Sequence, residues 1–188
     1  DQAAMALLER DELSADARIA RPGPRFIVFP TVSSHAPFVP IAPFRSDWAA
    51  LVGTGAYSEA ELARALATPE NWTQPTPHYG DALLYTFEWL SSFVAERADP
   101  SLVLIVIGDH QPIGAVTGPG APWDVPVHVV GGTAGLLARL RAQGFVDGLR
   151  PGARPLGPMH ELTQLLVRSF GDAGASGPPD VRLKPDPR

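Results

Sequence analysis

The chain has 188 residues, 45% of them hydrophobic and 19% charged, which excludes disorder throughout and suits one domain with a sizeable core. A net charge of −5 gives no basic footprint, so nucleic acid and anionic membrane surfaces are poor partners. Without cysteine the chain has no disulfide, thiolate metal site or cysteine nucleophile, a composition that suits an oxidising compartment.

No apolar run approaches the roughly 20 residues that a membrane helix needs, and the first residues, DQAAMALLER, show no basic region followed by a hydrophobic stretch. A start at Asp1 that enters a helical pattern at once is expected of an excised fragment. Residues 3–20, rich in Ala, Leu, Glu and Arg, predict one helix or two short ones with Met5, Leu8, Leu13 and Ile19 on the apolar side. The Arg21-Pro22-Gly23-Pro24 cluster ends it. Residues 25–32, RFIVFPTV, then read as a buried strand that Pro30 places at a strand end or an edge. The loop Ser33-Ser34-His35-Ala36-Pro37-Phe38 leaves its carboxyl end.

Prolines at 40, 43, 69, 75 and 77 punctuate the next stretch, with helical pieces expected around Trp48 to Val52 and Ser58 to Leu66. Ser58 followed by Glu61 is a capping-box signature. Residues 78–97, HYGDALLYTFEWLSSFVAER, predict an amphipathic helix with Leu83, Leu84, Phe87, Leu90 and Phe93 or Val94 on the core side. It leads through Asp99-Pro100 into LVLIVIGDHQP, residues 102–112. Six apolar residues, mostly β-branched, stop there at a glycine, which is the pattern of a strand buried on both faces of a parallel sheet. Two strands joined through a helix imply a right-handed crossover.

A Gly/Pro-rich loop follows, then a third strand at residues 125–130 (VPVHVV), a helix within residues 131–142, a short Phe145-Val146 segment and a helix from His160 to Phe170. The domain is expected over residues 1–170, with 171–188 as a loosely ordered Pro/Gly-rich tail.

In open α/β sheets, functional groups lie beyond the carboxyl ends of the strands, which singles out Asp109 and His110 and the loop bearing Ser34 and His35. Gly108 permits the bend that lets adjacent side chains serve one ion. The other histidines have plain readings: His78 opens a helix, His128 alternates with valines, and His160 is a solvated helix residue. Asn71-Trp72-Thr73 fits a glycosylation triplet too short to carry weight.

The order of strand, Ser-His-Ala-Pro-Phe, proline-rich excursion, aromatic helix, strand ending in Gly-Asp-His and Val-Pro strand resembles the C-terminal half of the alkaline phosphatase superfamily. Within it, the chain is most similar to the membrane-anchored sulfatase-like group that includes lipoteichoic acid synthases and phosphoethanolamine transferases. The likeness spans residues 25–131, about half of the chain. It implies a partial three-layer α/β/α domain with a mainly parallel central sheet, and a centre holding one or two divalent metals. Asp109 and His110 would ligate the metal, and His35, with Ser34 beside it, would meet the phosphate or sulfate group of the substrate. No segment matches the group's nucleophile or its further acidic ligand. The missing N-terminal half would supply them, so this chain alone is expected to be inactive. The resemblance also implies the extracytoplasmic face of a bacterial membrane, tethering through upstream segments, and phospho- or sulfo-ester substrates, lipid-linked ones included.

These residue types suit that chemistry. A metal neutralises the negative oxygens that repel attack on such esters and lowers the pKa of a bound hydroxyl. Carboxylate with imidazole favours zinc or manganese, with calcium or magnesium also admitted. Protonated, His35 would donate to an oxyanion; neutral, it would shuttle a proton. Two alternatives stand beside this reading. Gly131 to Gly135, between a strand and a helix, partly fits a nucleotide-binding turn, although Val130 takes the first glycine position. A non-catalytic sulfatase-like interaction domain is the other.

Overall fold

Alanine and leucine favour helix at the start of the chain, and α1 covers Gln2–Leu8. A wider turn over Glu9–Leu13 follows, and Ser14 then starts α2, Ala15–Ala20, by accepting from the Ala17 amide. The computed structural model describes residues 1–96 and 101–171, so the Asp99-Pro100 junction and, beyond Gly171, the expected tail lie outside the described residues. Later helices are α3 (Glu59–Leu66), α4 (Thr76–Glu96), α5 (Gly114–Thr117), α6 (Ala134–Ala142) and α7 (Leu162–Phe170), with 3-10 turns at Ala50–Val52 and Met159–Glu161. Strands β1 (Val103–Ile107) and β2 (Val127–Gly131) make the only sheet among the described residues. The described backbone groups into two compact units, one from residues 1–96 and 109–125, the other from 101–108 and 126–171.

The first unit is built on α4. Ala82, Tyr85, Trp89 and Phe93 are buried along one side of it, together with Met5 and Ala6 of α1 and with Phe38, Trp48 and Leu51. Trp48 tilts against Phe93 at 5.8 Å between centroids while its Nε1 donates to Ser92 Oγ at 2.8 Å. Phe29 meets Trp89 edge-on at 6.2 Å. Gln2 is fully buried but satisfied: its amide donates to the Arg45 carbonyl and accepts from the Arg45 N–H, and its own N–H donates to Tyr85 Oη. The capping box expected at Ser58 and Glu61 is present at the start of α3.

In the second unit, β1 and β2 pair antiparallel, with Val103 opposite Gly131 and Ile107 opposite Val127. Helix α6 buries Leu136 and Leu140, and Arg139 Nε donates to the Ser169 carbonyl at 2.6 Å near the end of α7. This satisfies one of the carbonyls that a helix end leaves open.

The expected three-layer α/β/α fold with a mainly parallel sheet, and with it the alkaline phosphatase-like architecture, is not found. Residues 25–32 form no strand, and Phe26 and Val28 are 89% and 76% exposed. Without that strand there is no parallel partner and no crossover. Strand β1 is half-buried along most of its length, not enclosed on both faces. The reason is physical: an apolar β-branched run reports a preference for extended, shielded backbone, but not the number or direction of its hydrogen-bonding partners. The core side of α4 also differs from expectation, since Leu84 and Phe87 are exposed at 70% and 53%.

Candidate functional site

Strand β1 ends at Ile107, and Gly108 keeps one more bond to the second segment, from its N–H to the Pro126 carbonyl at 3.1 Å. The chain then turns away, and Asp109 and His110 leave the ladder. The His110 N–H donates to Asp109 Oδ1 at 3.0 Å, and Asp109 Oδ2 lies 3.6 Å from His110 Nε2. Nδ1 of His110 is 2.7 Å from the Gln111 carbonyl, which can only accept, so Nδ1 carries the proton. In the neutral ring the lone pair is then on Nε2. A carbonyl that fixes the tautomer in this way is the usual support of a metal-ligating histidine. The Gln111 amide in turn donates to the Asp124 carbonyl, tying the following loop.

The donor atoms of this pair fit a divalent ion. At metal–ligand bonds of about 2.0–2.2 Å, two donors of a tetrahedral site stand roughly 3.4 Å apart, close to the separation found here. Both side chains are open to solvent, 88% for Asp109 and 64% for His110. Among the described residues, no three of His, Cys, Asp and Glu gather into a group that can hold a metal, so no further residue of these types joins this pair.

His35 sits elsewhere in the same unit. The loop is made by two tight turns, with the His35 N–H on the Val32 carbonyl at 3.0 Å and the Phe38 N–H on the His35 carbonyl at 2.8 Å. Phe38, buried and in the left-handed region at φ 68°, anchors the loop edge-on against Tyr79 of α4, at 5.2 Å. Its burial offsets a backbone cost of roughly 1–3 kcal/mol. His35 Nδ1 is 2.7 Å from the Ala36 carbonyl and so also carries its proton there, leaving Nε2 for other partners. The ring lines an open groove of about 590 Å³ with Asp1, Thr31, Ser33, Pro37 and Val39 among its walls. Ser34 is half-buried and does not line it, nor do Asp109 and His110.

Sequence reasoning missed Asp1. Its carboxylate accepts from the Val32 N–H at 2.9 Å and the Ser33 N–H at 3.0 Å, on one oxygen each. No local signal could have shown a bond across 31 residues. The glycine turn has a structural explanation. Gly131 and Gly132 have φ of 85° and 92°, and a Cβ on Gly131 would collide with the Leu102 carbonyl. Thr133 caps α6 by accepting from the Leu136 N–H at 3.2 Å, so the helix start satisfies itself.

Comparison with known proteins found no matching family model, no matching curated protein and no matching solved structure.

Proposed function

We propose that this chain contributes part of the centre of a metal-dependent phosphoric or sulfuric ester hydrolase or transferase, with Asp109 and His110 as two ligands of a divalent ion. The reading rests on the ordered motifs and their local geometry, not on the alkaline phosphatase fold. The observation that carries it is the approach of an Asp109 carboxylate oxygen to His110 Nε2 at 3.6 Å, in a ring whose Nδ1 is turned to the Gln111 carbonyl. When bound, the ion supplies charge neutralisation and lowers the pKa of a ligated hydroxyl. The chain's own residues orient it: the His110 N–H holds one oxygen of Asp109, and the Gln111 carbonyl sets the ring. His35 contributes a donor or proton carrier to the ester's oxygens. On this reading the nucleophile and the remaining ligands come from the N-terminal half that the resemblance implies, which also carries the implied membrane tether and extracytoplasmic setting.

The exposure of both side chains favours a second reading, in which Asp109 and His110 form an ordinary surface ion pair in a non-catalytic domain. Calorimetric titration of the chain with Zn²⁺ and Mn²⁺ separates the two. The metal reading predicts a saturable heat with one ion per chain that is lost in Asp109→Asn and in His110→Ala. Equal heats in parent and variants would leave the ion-pair reading.

A further inference from the structure

Two consecutive backbone N–H groups, those of Val32 and Ser33, converge on the two oxygens of the Asp1 carboxylate. This is how main chain binds a negatively charged group that presents a pair of oxygens. Asp1 precedes α1, where an Asp side chain ordinarily accepts from the first helical amides, yet it makes no such bond and turns to the loop instead. The groove at this point also carries Thr31, Ser33 and His35, and with Nδ1 turned to the Ala36 carbonyl the His35 ring can donate to an anion from Nε2 only as the imidazolium. The two amides thus hold the Asp1 carboxylate in a groove that Thr31, Ser33 and His35 also line.

We propose that the loop from Thr31 to His35 is an oxyanion-binding loop, in which the Asp1 carboxylate holds the place of a phosphate or sulfate group. Asp1 is then an internal competitor. Being tethered, it acts at a high effective concentration, and an external oxyanion must displace it to bind. The assignment of phosphate or sulfate rests on the proposed ester chemistry; the anion-binding geometry does not.

The test is a titration with inorganic phosphate followed through backbone amide resonances, with inorganic sulfate in parallel. In Asp1→Ala, the Val32 and Ser33 amides should shift at phosphate concentrations at least about tenfold lower than in the parent chain. Asp1→Asn, which keeps the volume and one acceptor oxygen, should fall between the two and serves if the alanine variant disturbs α1. His35→Ala in the Asp1→Ala background should weaken binding again. Amides at Val32 and Ser33 that do not move in either Asp1 variant, or that move equally in variant and parent, would overturn the proposal. The metal reading fails separately: phosphate shifts at this loop, with no response of Asp109 and His110 to Mn²⁺, would uphold the loop and sink the metal centre.

Discussion

Glu61 holds two structures together at the residue scale. Its carboxylate accepts from the Ser58 N–H at 2.9 Å and the Ser58 hydroxyl at 2.8 Å, and it pairs with Arg45 Nη2 at 2.5 Å. The Arg45 hydrogen bond, followed by those from Ser58, lowers the Glu61 pKa from 4.5 to about 2. The unfolded chain therefore takes up this proton more readily than the folded one. The stability Glu61 contributes is fully present above about pH 4.5 and is lost as pH falls through about 2. Glu61→Gln should be less stable than the parent at neutral pH, with the gap closing between those two values in urea unfolding at stepped pH. A gap constant across that window would show that the ionised carboxylate is not what links Arg45 to α3. This capping box was legible from Ser58 and Glu61 alone, because both partners lie within one helical turn. The Arg45 partner was not, since it comes from a loop 16 residues earlier.

Helix α4 shows at the element scale what periodicity can and cannot tell. Its existence and near-complete extent follow from composition and spacing, but its buried side does not. Leu83, Leu84, Phe87, Leu90 and Val94 make an apolar row as good as the one that is buried, Ala82, Tyr85, Trp89 and Phe93. A helix apolar on more than one face leaves the choice to its tertiary partners, here the α1 residues, Phe29 and Trp48. Trp89→Ala should therefore cost about 3–5 kcal/mol in chemical denaturation. Leu84→Ala should stay within about 0.5 kcal/mol. Trp89 Nε1 is buried without a hydrogen-bond partner among the described residues, so Trp89→Phe gives up no such bond and should cost less than Trp89→Ala. Comparable losses at Leu84 and Trp89 would mean that the other row is the packed one.

The three strand signals met different fates for a related reason. The second and third runs paired, as residues 103–107 against 127–131, while RFIVFPTV, of similar composition, did not. Strand propensity is a statement about a half-buried pleated surface, and it becomes a strand only where a ladder partner is present. Pro30 removes one N–H from any such ladder, and the Val32 N–H is taken by Asp1.

On the scale of the whole molecule, a parallel α/β/α architecture was an expectation built on two strands and a crossover, and one missing strand removes it. The candidate site was legible to the extent that its chemistry is local. Asp109 and His110 are neighbours in sequence, and after Gly108 the Asp109 carboxylate and the His110 ring come to 3.6 Å of each other. Asp1 and the amides it holds could not be read, since they meet only through folding. No described helix is long and apolar enough to cross a membrane.

Mn²⁺-induced line broadening tests most directly whether Asp109 and His110 are metal ligands or a surface ion pair. At substoichiometric Mn²⁺, the amides of residues 109–111 and the His110 ring should broaden before those of His128 and His160, and Asp109→Asn should abolish the effect. Broadening spread evenly over exposed carboxylates, or unchanged in Asp109→Asn, would contradict the metal centre and leave the pair as a surface contact.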